Sequence, residues 1–383
     1  MASAIPQERL AEIVGSARAR TGVPAVAAGL LVGGRVELAA AGPVDVETPF
    51  RIASVTKWFT ASLAALVLDL DAPLGGGVTA GQLLSHTADL RQNSEEPLPE
   101  RCRGLWSYSN TGYVLAGQAC EATAGVSYSD ALRERLLEPL GLECTSFEEP
   151  PDAAPGHVQK GATGHHRSPD AHYLESRRAA GGLWSTVGDL LRFASHQLGG
   201  PGPLSATQLS TLREPRAEAL GGRYCLGCWS RGLASGRLAL DHEGSVGGYQ
   251  SLLLLVPEEE TALAVLTNSW RGSGLIRRVV QELGLVPASL AETGSRRIEP
   301  GRYELDGAVA VVRERGGRWR VAESETDPLT RLRIERPEYV VDTLGGSVYG
   351  FAGGVLMSHR IDFPRKGVAR VGWTALPASG LGL

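Results

Sequence analysis

Apolar positions change their period several times along the chain. Leu10, Ile13 and Val14 recur at helical spacing among Glu8, Arg9, Glu12 and Arg18, which predicts an amphipathic first helix. AVAAGLLVGG and RVELAAAG read as two strands joined at Gly33-Gly34, a hairpin signal. From Ser54 the period shifts. SVTKWFTASLAALVLDL is apolar almost all round and predicts a buried helix of several turns. After a glycine break at 75–77 come shorter helical pieces: TAGQLLSHT, TGYVLAGQACEATAG and YSDALRERLLEPLG. The last takes Ser129 or Asp130 as its N-cap and Gly141 as its stop. STVGDLLRFASHQLGG predicts a capped helix from Ser185 or Thr186 to Gly199.

Strand patterns then return. LALDHEG, YQSLLLLVP and TALAVLTN are short apolar runs separated by turn residues and read as an antiparallel meander, closed by a helix over SGLIRRVVQELGL. Strands at both ends therefore enclose a mainly helical insert: an α/β layer plus an all-α part, not alternating βαβ units. From about Pro287 the text becomes linker-like. GAVAVVRERGGRWRVAE, EYVVDT, GSVYGFAG and ARVGWTAL then predict a small antiparallel sheet or barrel. The expected domains are 1–290 and 296–383.

Bulk properties narrow the function classes. The chain has 383 residues, 43% hydrophobic content and a net charge of −4, with no basic stripe of the kind a nucleic-acid partner needs. No run is long and apolar enough to span a bilayer. Charges are mixed through the first twenty residues, unlike a secretory leader, so the expected location is cytoplasmic. Five cysteines (102, 120, 144, 225 and 228) fit free thiols in a reducing compartment. Cys225 and Cys228 form a C-x-x-C, but a second pair is missing and no βαβ pattern surrounds it, so two buried thiols in a strand–turn region is the expectation. His165, His166 and His172 lie in a polar stretch, GHHRSPDAHY, without zinc-ligand spacing, and read as a flexible loop.

Three short motifs carry chemistry. Ser54 and Lys57 share a face at the start of the long helix, which puts an amine beside a hydroxyl near unsatisfied backbone N–H groups. A lysine in an apolar site loses its proton near neutral pH and serves as a base. Tyr108 relays a proton when an ammonium lies near, and Asn110 offers both a donor and an acceptor. Read alone, Asn110 is equally a helix N-cap. His242, Glu243, Gly244 and Ser245 end a strand, where a backbone N–H can face an oxyanion and glycine admits close approach. Each motif alone is as well explained by a cap, a loop or a surface turn.

Together, in the order Ser-x-x-Lys, Tyr-x-Asn, His-x-Gly, they resemble the penicillin-recognising serine enzymes: class C β-lactamases, D-alanyl-D-alanine carboxypeptidases, family VIII esterases, and related acyltransferases and peptide-cyclising thioesterases. FRIASVTKWFTA, QLLSHTADL, WSYSNTGYVLAGQ, YSDALRERLLEPLGL, AAGGLWSTVGDLLRFA and DHEGSVGGYQS look like family segments in family order, over roughly residues 8 to 285. The resemblance implies a β-lactamase/transpeptidase-like fold, an antiparallel sheet flanked by helices with an all-α subdomain. The C-terminal module resembles the lipocalin-like β domain of some members. It implies Ser54 as nucleophile, Lys57 and Tyr108 sharing base and relay work, Asn110 on the substrate carbonyl, and the N–H groups of Ser54 and Ser245 as the oxyanion hole. His242 stands where β-lactamases carry lysine.

Two departures stand out. Only 54 positions separate Ser54 from Tyr108, a short interval that predicts a more open cleft. Glu243 replaces the usual threonine, whose hydroxyl helps hold a substrate carboxylate. A carboxylate there repels anions unless strand alternation turns it away. Both His242 and Glu243 argue against efficient β-lactam hydrolysis and against C-terminal D-Ala peptides. The expected activity is a hydrolase, or an acyltransferase of cytoplasmic natural-product biosynthesis, acting on an ester, thioester or amide. Its partners are a small-molecule or peptidyl acyl donor and, for transfer, an amine acceptor, with no cofactor, metal, nucleic acid or membrane. A catalytically silent binding protein is the remaining alternative.

Overall fold

The computed structural model describes residues 7–160, 164–167, 175–219 and 222–287, followed by strand segments between 301 and 379. Helix α1 (Gln7–Thr21) leads into the hairpin β1 (Val26–Val32) and β2 (Arg35–Ala41), then β3 (Phe50–Arg51), a 3-10 turn at Ala53–Val55, α2 (Thr56–Val67) and α3 (Ala80–Leu84). Next come α4 (Asn110–Ala124), α5 (Tyr128–Leu132), the hairpin β4 (His157–Lys160) and β5 (Gly164–Arg167), α6 (Arg178–Gly181), β6 (Trp184–Ser185), α7 (Val187–Gln197) and α8 (Ala206–Arg213). The strands β7 (Ala217–Ala219), β8 (Gly222–Tyr224), β9 (Trp229–Gly232), β10 (Leu238–Val246), β11 (Tyr249–Val256) and β12 (Thr261–Thr267) precede α9 (Gly272–Glu282).

The chain divides into two compact units that are not consecutive in sequence. The first holds residues 1–84, 113–215 and 224–288; the second holds 85–112, 216–223 and 289–383.

In the first unit six strands form an antiparallel sheet in the order β2-β1-β12-β11-β10-β9. Gly33 and Gly34 both have positive φ, 53° and 81°, which only glycine accepts freely, and they close the β1–β2 hairpin. One face of the sheet packs against α1 and α9 through Leu10, Ile13, Val14, Leu275, Ile276 and Val279. On the other face lies α7: a Cβ on Gly29 would sit 2.8 Å from the Leu191 side chain, so β1 carries glycine there. Phe193 of α7 stacks on Phe59 of α2 at 3.9 Å between ring centroids. Because helices cover both faces, β12 is buried at every position and β11 at all but one. That explains why both read as unbroken apolar runs.

Local caps differ in detail from the sequence expectation. Helix α5 is capped by Ser127, whose side chain accepts the Asp130 N–H, not by Ser129 or Asp130. Ser127 is the last residue with extended backbone, and that geometry defines the cap. Thr186 caps α7 as expected, and Gly141 takes the left-handed conformation that stops its helix. His165 and His166 lie in β5, within a hairpin where a loop was expected; His172 and the linker at 288–300 lie outside the described residues. All five cysteines are free, and Cys102, Cys120, Cys225 and Cys228 are buried.

In the second unit the strands β13 (Gly301–Leu305), β14 (Ala308–Arg315), β15 (Arg318–Thr326), β16 (Arg333–Glu335), β17 (Tyr339–Leu344), β18 (Ser347–Ala352), β19 (Val355–Arg365), β20 (Val368–Val371) and β21 (Thr374–Ser379) form a nine-stranded sheet. Its order is β14-β13-β21-β20-β19-β18-β17-β15-β16, and β14 also pairs with β15. The sheet therefore closes into an antiparallel barrel, with β16 as an extra strand on β15. Closure removes the free edges that an open sheet would expose. Paired residues share a face, so Tyr303 opposite Ala310 and Val312 opposite Val321, all buried, line the same side. The 3-10 turn at Glu100–Cys102 lies against β21, so the segment 85–112 folds with the barrel. Among the described residues no helix is long and apolar enough to cross a membrane.

Candidate active site

The turn before α2 lifts Ser54 out of a buried surround. Ala53 has φ of 47°, a left-handed conformation that costs a non-glycine residue roughly 1–2 kcal/mol. Its neighbours hold it there. The Ile52 N–H donates to the Leu183 carbonyl at 3.0 Å, and the Ser251 hydroxyl donates to the Ile52 carbonyl at 2.7 Å. The Leu183 N–H returns to Thr56 Oγ1 at 3.2 Å. Ser54 is only half-buried while the residues on either side are fully buried, so its hydroxyl sits on the rim of a rigid turn.

Lys57 lies three residues on, fully buried, with its Nζ 3.4 Å from Ser54 Oγ and 2.5 Å from the Ala180 carbonyl. The Tyr113 ring lies 5.2 Å from the same nitrogen. Burial holds the Lys57 amine well below the usual lysine range. A neutral amine has a lone pair, so this geometry makes it able to take a proton from Ser54.

Strand β10 supplies the third side. β9 pairs with it only from Leu238 to Asp241, so the backbone edge from His242 onward leaves that ladder. Gly244 packs on the turn that carries Ser54: a Cβ there would lie 2.2 Å from the Ile52 carbonyl and 3.1 Å from Ala53 Cβ. His242 shares that face by strand alternation. Its Nδ1 contacts the Glu243 carbonyl at 2.6 Å, and its Nε2 contacts the Tyr224 hydroxyl at 3.1 Å. A carbonyl only accepts, so Nδ1 carries the hydrogen and Nε2 accepts from Tyr224. Burial, the largest cause, pushes the imidazole down to about 3, so it is neutral near pH 7.

Glu243, expected among the substrate-binding residues, projects to the opposite face. It is paired with Leu252 of the α1/α9 core, and its charge acts on Arg277 of α9. Period-two alternation puts it there once His242 and Gly244 face Ser54. Ser245 follows Glu243 to that outer face, where its hydroxyl accepts from Gln250 at 2.7 Å; only its backbone remains for an oxyanion.

In the second unit, Tyr108 sits in the loop that enters α4, and Asn110 is the first residue of that helix. Ser109 is the residue that caps α4: its hydroxyl accepts the Gly112 N–H at 3.0 Å and donates to the Arg91 carbonyl at 2.8 Å. Asn110 is thereby released from the capping role that its position suggested. Its Nδ2 donates to Asn93 Oδ1 at 3.0 Å, which turns the amide and fixes where its oxygen points.

Three contributors were not singled out from sequence. The Ala180 carbonyl holds Lys57, Tyr224 holds His242, and His86 packs on Tyr108 at 4.3 Å between ring centroids. A backbone carbonyl has no side-chain signature, and the partners of histidine and tyrosine are long-range.

Comparison with known proteins supplies the family. The beta-lactamase family model matches residues 10–283. The chain belongs to the beta-lactamase family. Penicillin-binding protein 4 of Amycolatopsis lactamdurans is 26% identical over 360 residues, covering 77% of this chain and 94% of that protein. The crystal structure of SurE aligns over 97% of this chain and 99% of its own, with a TM-score of 0.75 and 23% identity; SurE with D-Leu gives 0.73. The D-amino acid amidase from Ochrobactrum anthropi SV3, complexed with L-phenylalanine amide, covers 72% of this chain and 98% of its own, at TM-score 0.62 and 23% identity. As a member of the beta-lactamase family, the protein is an enzyme of the serine hydrolase type on the β-lactamase fold, with its family-matched part ending before the barrel begins.

Proposed function

We propose that the protein forms an acyl-enzyme on Ser54 from an ester, thioester or amide whose carbonyl belongs to a D-configured aminoacyl or peptidyl group. The observation that carries this reading is the buried, depressed-pKa amine of Lys57 at 3.4 Å from Ser54 Oγ. In the first step Lys57 takes the Ser54 proton as Oγ bonds to the carbonyl carbon. The oxyanion is held by the backbone N–H groups of Ser54 and Ser245, where preorganised donors contribute about 3 kcal/mol each to the transition state. The tetrahedral intermediate then expels the leaving group, which receives the proton through Tyr108. Asn110 holds the carbonyl side of the donor. Water, or an amine acceptor, reverses these steps to release acid or amide.

The D-configuration is suggested by what related structures carry: SurE was crystallised with D-Leu, and a similar fold belongs to a D-amino acid amidase. His242 is neutral and both its ring nitrogens are engaged, so it offers no positive charge to a substrate carboxylate. This replaces carboxylate repulsion by Glu243 as the reason for disfavouring β-lactams and D-Ala-terminated peptides. The preferred leaving group is accordingly uncharged.

The test is turnover of matched D- and L-phenylalanine ethyl esters, with and without added amines. A D preference of about tenfold or more (about 1.4 kcal/mol) is expected, together with amide product at high amine. An L preference, or turnover of cephalosporins at about ten per second or more, would refute the substrate assignment.

A further inference from the structure

His86 touches the Tyr108 loop at three points. Its own carbonyl accepts the Ser107 N–H at 3.2 Å, and its Nδ1 accepts the Ser109 N–H at 3.0 Å. Between those two anchors its ring lies 4.3 Å from the Tyr108 ring at 38°, and 5.7 Å, edge-on, from Trp106. Tyr108 is thus bracketed on both sides in the backbone and backed in the side chain by one buried residue. His86 does this with φ of 61°, a conformation few non-glycine residues adopt, although histidine, asparagine and aspartate do so most readily. Strained backbone of this kind persists where surrounding contacts over-determine it. Because Nδ1 is the acceptor for an N–H, the ring hydrogen of the neutral imidazole sits on Nε2.

We infer that His86 is a positioning residue that sets the Tyr108 hydroxyl for proton transfer to the leaving group. The inference rests on the proposed function, in which Tyr108 delivers that proton. The imidazole does two separable things: its nitrogen fixes the loop backbone, and its ring face limits the swing of the phenol. Both contacts lie within one compact unit, alongside Asn93 and Ser109, which orient Asn110 and cap α4.

The discriminating readout is the leaving group. A p-nitrophenolate departs without a proton, whereas an alkoxide needs one. A loss of relay geometry therefore slows D-phenylalanine ethyl ester far more than the p-nitrophenyl ester, while general loss of folded protein slows both equally. The variants are His86→Phe, which keeps a ring but loses the acceptor, and His86→Asn, which keeps a side-chain acceptor and tolerates the left-handed backbone. For His86→Phe, kcat/KM on the ethyl ester, which reports acylation and not the deacylation that both esters share, is expected to fall about 10- to 100-fold, with little change in kcat/KM on the p-nitrophenyl ester. His86→Asn recovers most of that loss. The double variant His86→Phe/Tyr108→Phe is expected to be no slower than Tyr108→Phe alone, because the first substitution acts through the second.

Equal losses on both esters, losses that multiply in the double variant, or an unaffected His86→Phe would each overturn the inference, while an impaired Tyr108→Phe would leave the proposed function standing. If Tyr108→Phe itself is unimpaired on the ethyl ester, the relay reading fails, and the inference with it. Should His86→Phe not fold, His86→Asn alone decides through the ratio of the two esters: a ratio unchanged from wild type overturns the inference.

Discussion

The two units hold their reactive groups by different means. In the first, Ser54 and Lys57 stand at the entry of a buried helix, clamped by Leu183, Ser251 and the Ala180 carbonyl. The same contacts that place the groups also make the core, so chemistry and stability are joined. In the second, Tyr108 and Asn110 stand where a loop enters α4, in a geometry set by side chains (His86, Asn93 and Ser109) more than by regular structure. The difference teaches that a nucleophile and its base need a low-dielectric, rigid setting to shift a pKa. A relay and a carbonyl binder need orientation, which a few polar contacts supply.

The largest expected effect tests the first region. Ser54→Ala should lower turnover by at least about 10⁴-fold with an unchanged fold, checked by ester kinetics and circular dichroism. Lys57→Met should cost about 10²- to 10⁴-fold. The sign of its pH dependence follows from the depressed amine pKa: kcat/KM of the wild type rises as pH increases through a value well below 10.5 and is flat above it, and the methionine variant loses that rise. A profile that rises only near 10.5 would break the idea that burial prepares the base.

Smaller effects separate the two regions. Gly244→Ala drives a Cβ into the Ile52 carbonyl and Ser251 Oγ, so it should cost about 1–3 kcal/mol of stability along with activity, measured by urea unfolding. Asn93→Ala removes one hydrogen bond to Asn110, so kcat/KM should fall about fivefold, equivalent to about 1 kcal/mol, with the melting temperature nearly unchanged. If Asn93→Ala destabilises as much as Gly244→Ala, the contrast between the regions is wrong.

Acid stability gives a further check on the first region. The folded pKa of His242 lies near 3 against an ordinary value of 6.5. Between these values the unfolded chain binds the proton and the folded one does not. Stability therefore falls with falling pH across that window, by about 1.4 kcal/mol per pH unit. Relative to a His242→Gln variant, the wild type should lose ground from pH 6.5 downward, read by denaturation at fixed pH values. The smallest effect is Glu243→Gln, which should change kcat/KM less than about twofold, because that carboxylate faces Arg277 on the far side of the sheet. A larger change would return Glu243 to the substrate side.

Much of the fold is legible in sequence because it is set by short-range patterns. The Gly33-Gly34 hairpin, the Thr186 cap and the β10–β11–β12 meander each follow from local period and turn chemistry. The spacing of Ser54 and Lys57 carries their pairing, since three residues make nearly one helical turn. What is not legible depends on exact phase or on distant partners. The α5 cap falls at Ser127 because one residue's backbone angle decides it. Ser109, not Asn110, caps α4 for the same reason. Whether Glu243 faces the nucleophile depends on which side of β10 meets Ala53, and the Gly244 contact settles that. The Ala180 carbonyl beneath Lys57 comes from 123 residues away.

The most direct measurement is intact-protein mass after brief exposure to D-phenylalanine p-nitrophenyl ester, with wild type beside Ser54→Ala and with a panel of amines added afterward. A mass increase equal to the acyl group, present in the wild type and absent from the variant, is the expected result, and its faster disappearance with amines than with water alone would identify transfer. An equal adduct on Ser54→Ala, or turnover by that variant, would contradict the assignment of Ser54 as the nucleophile.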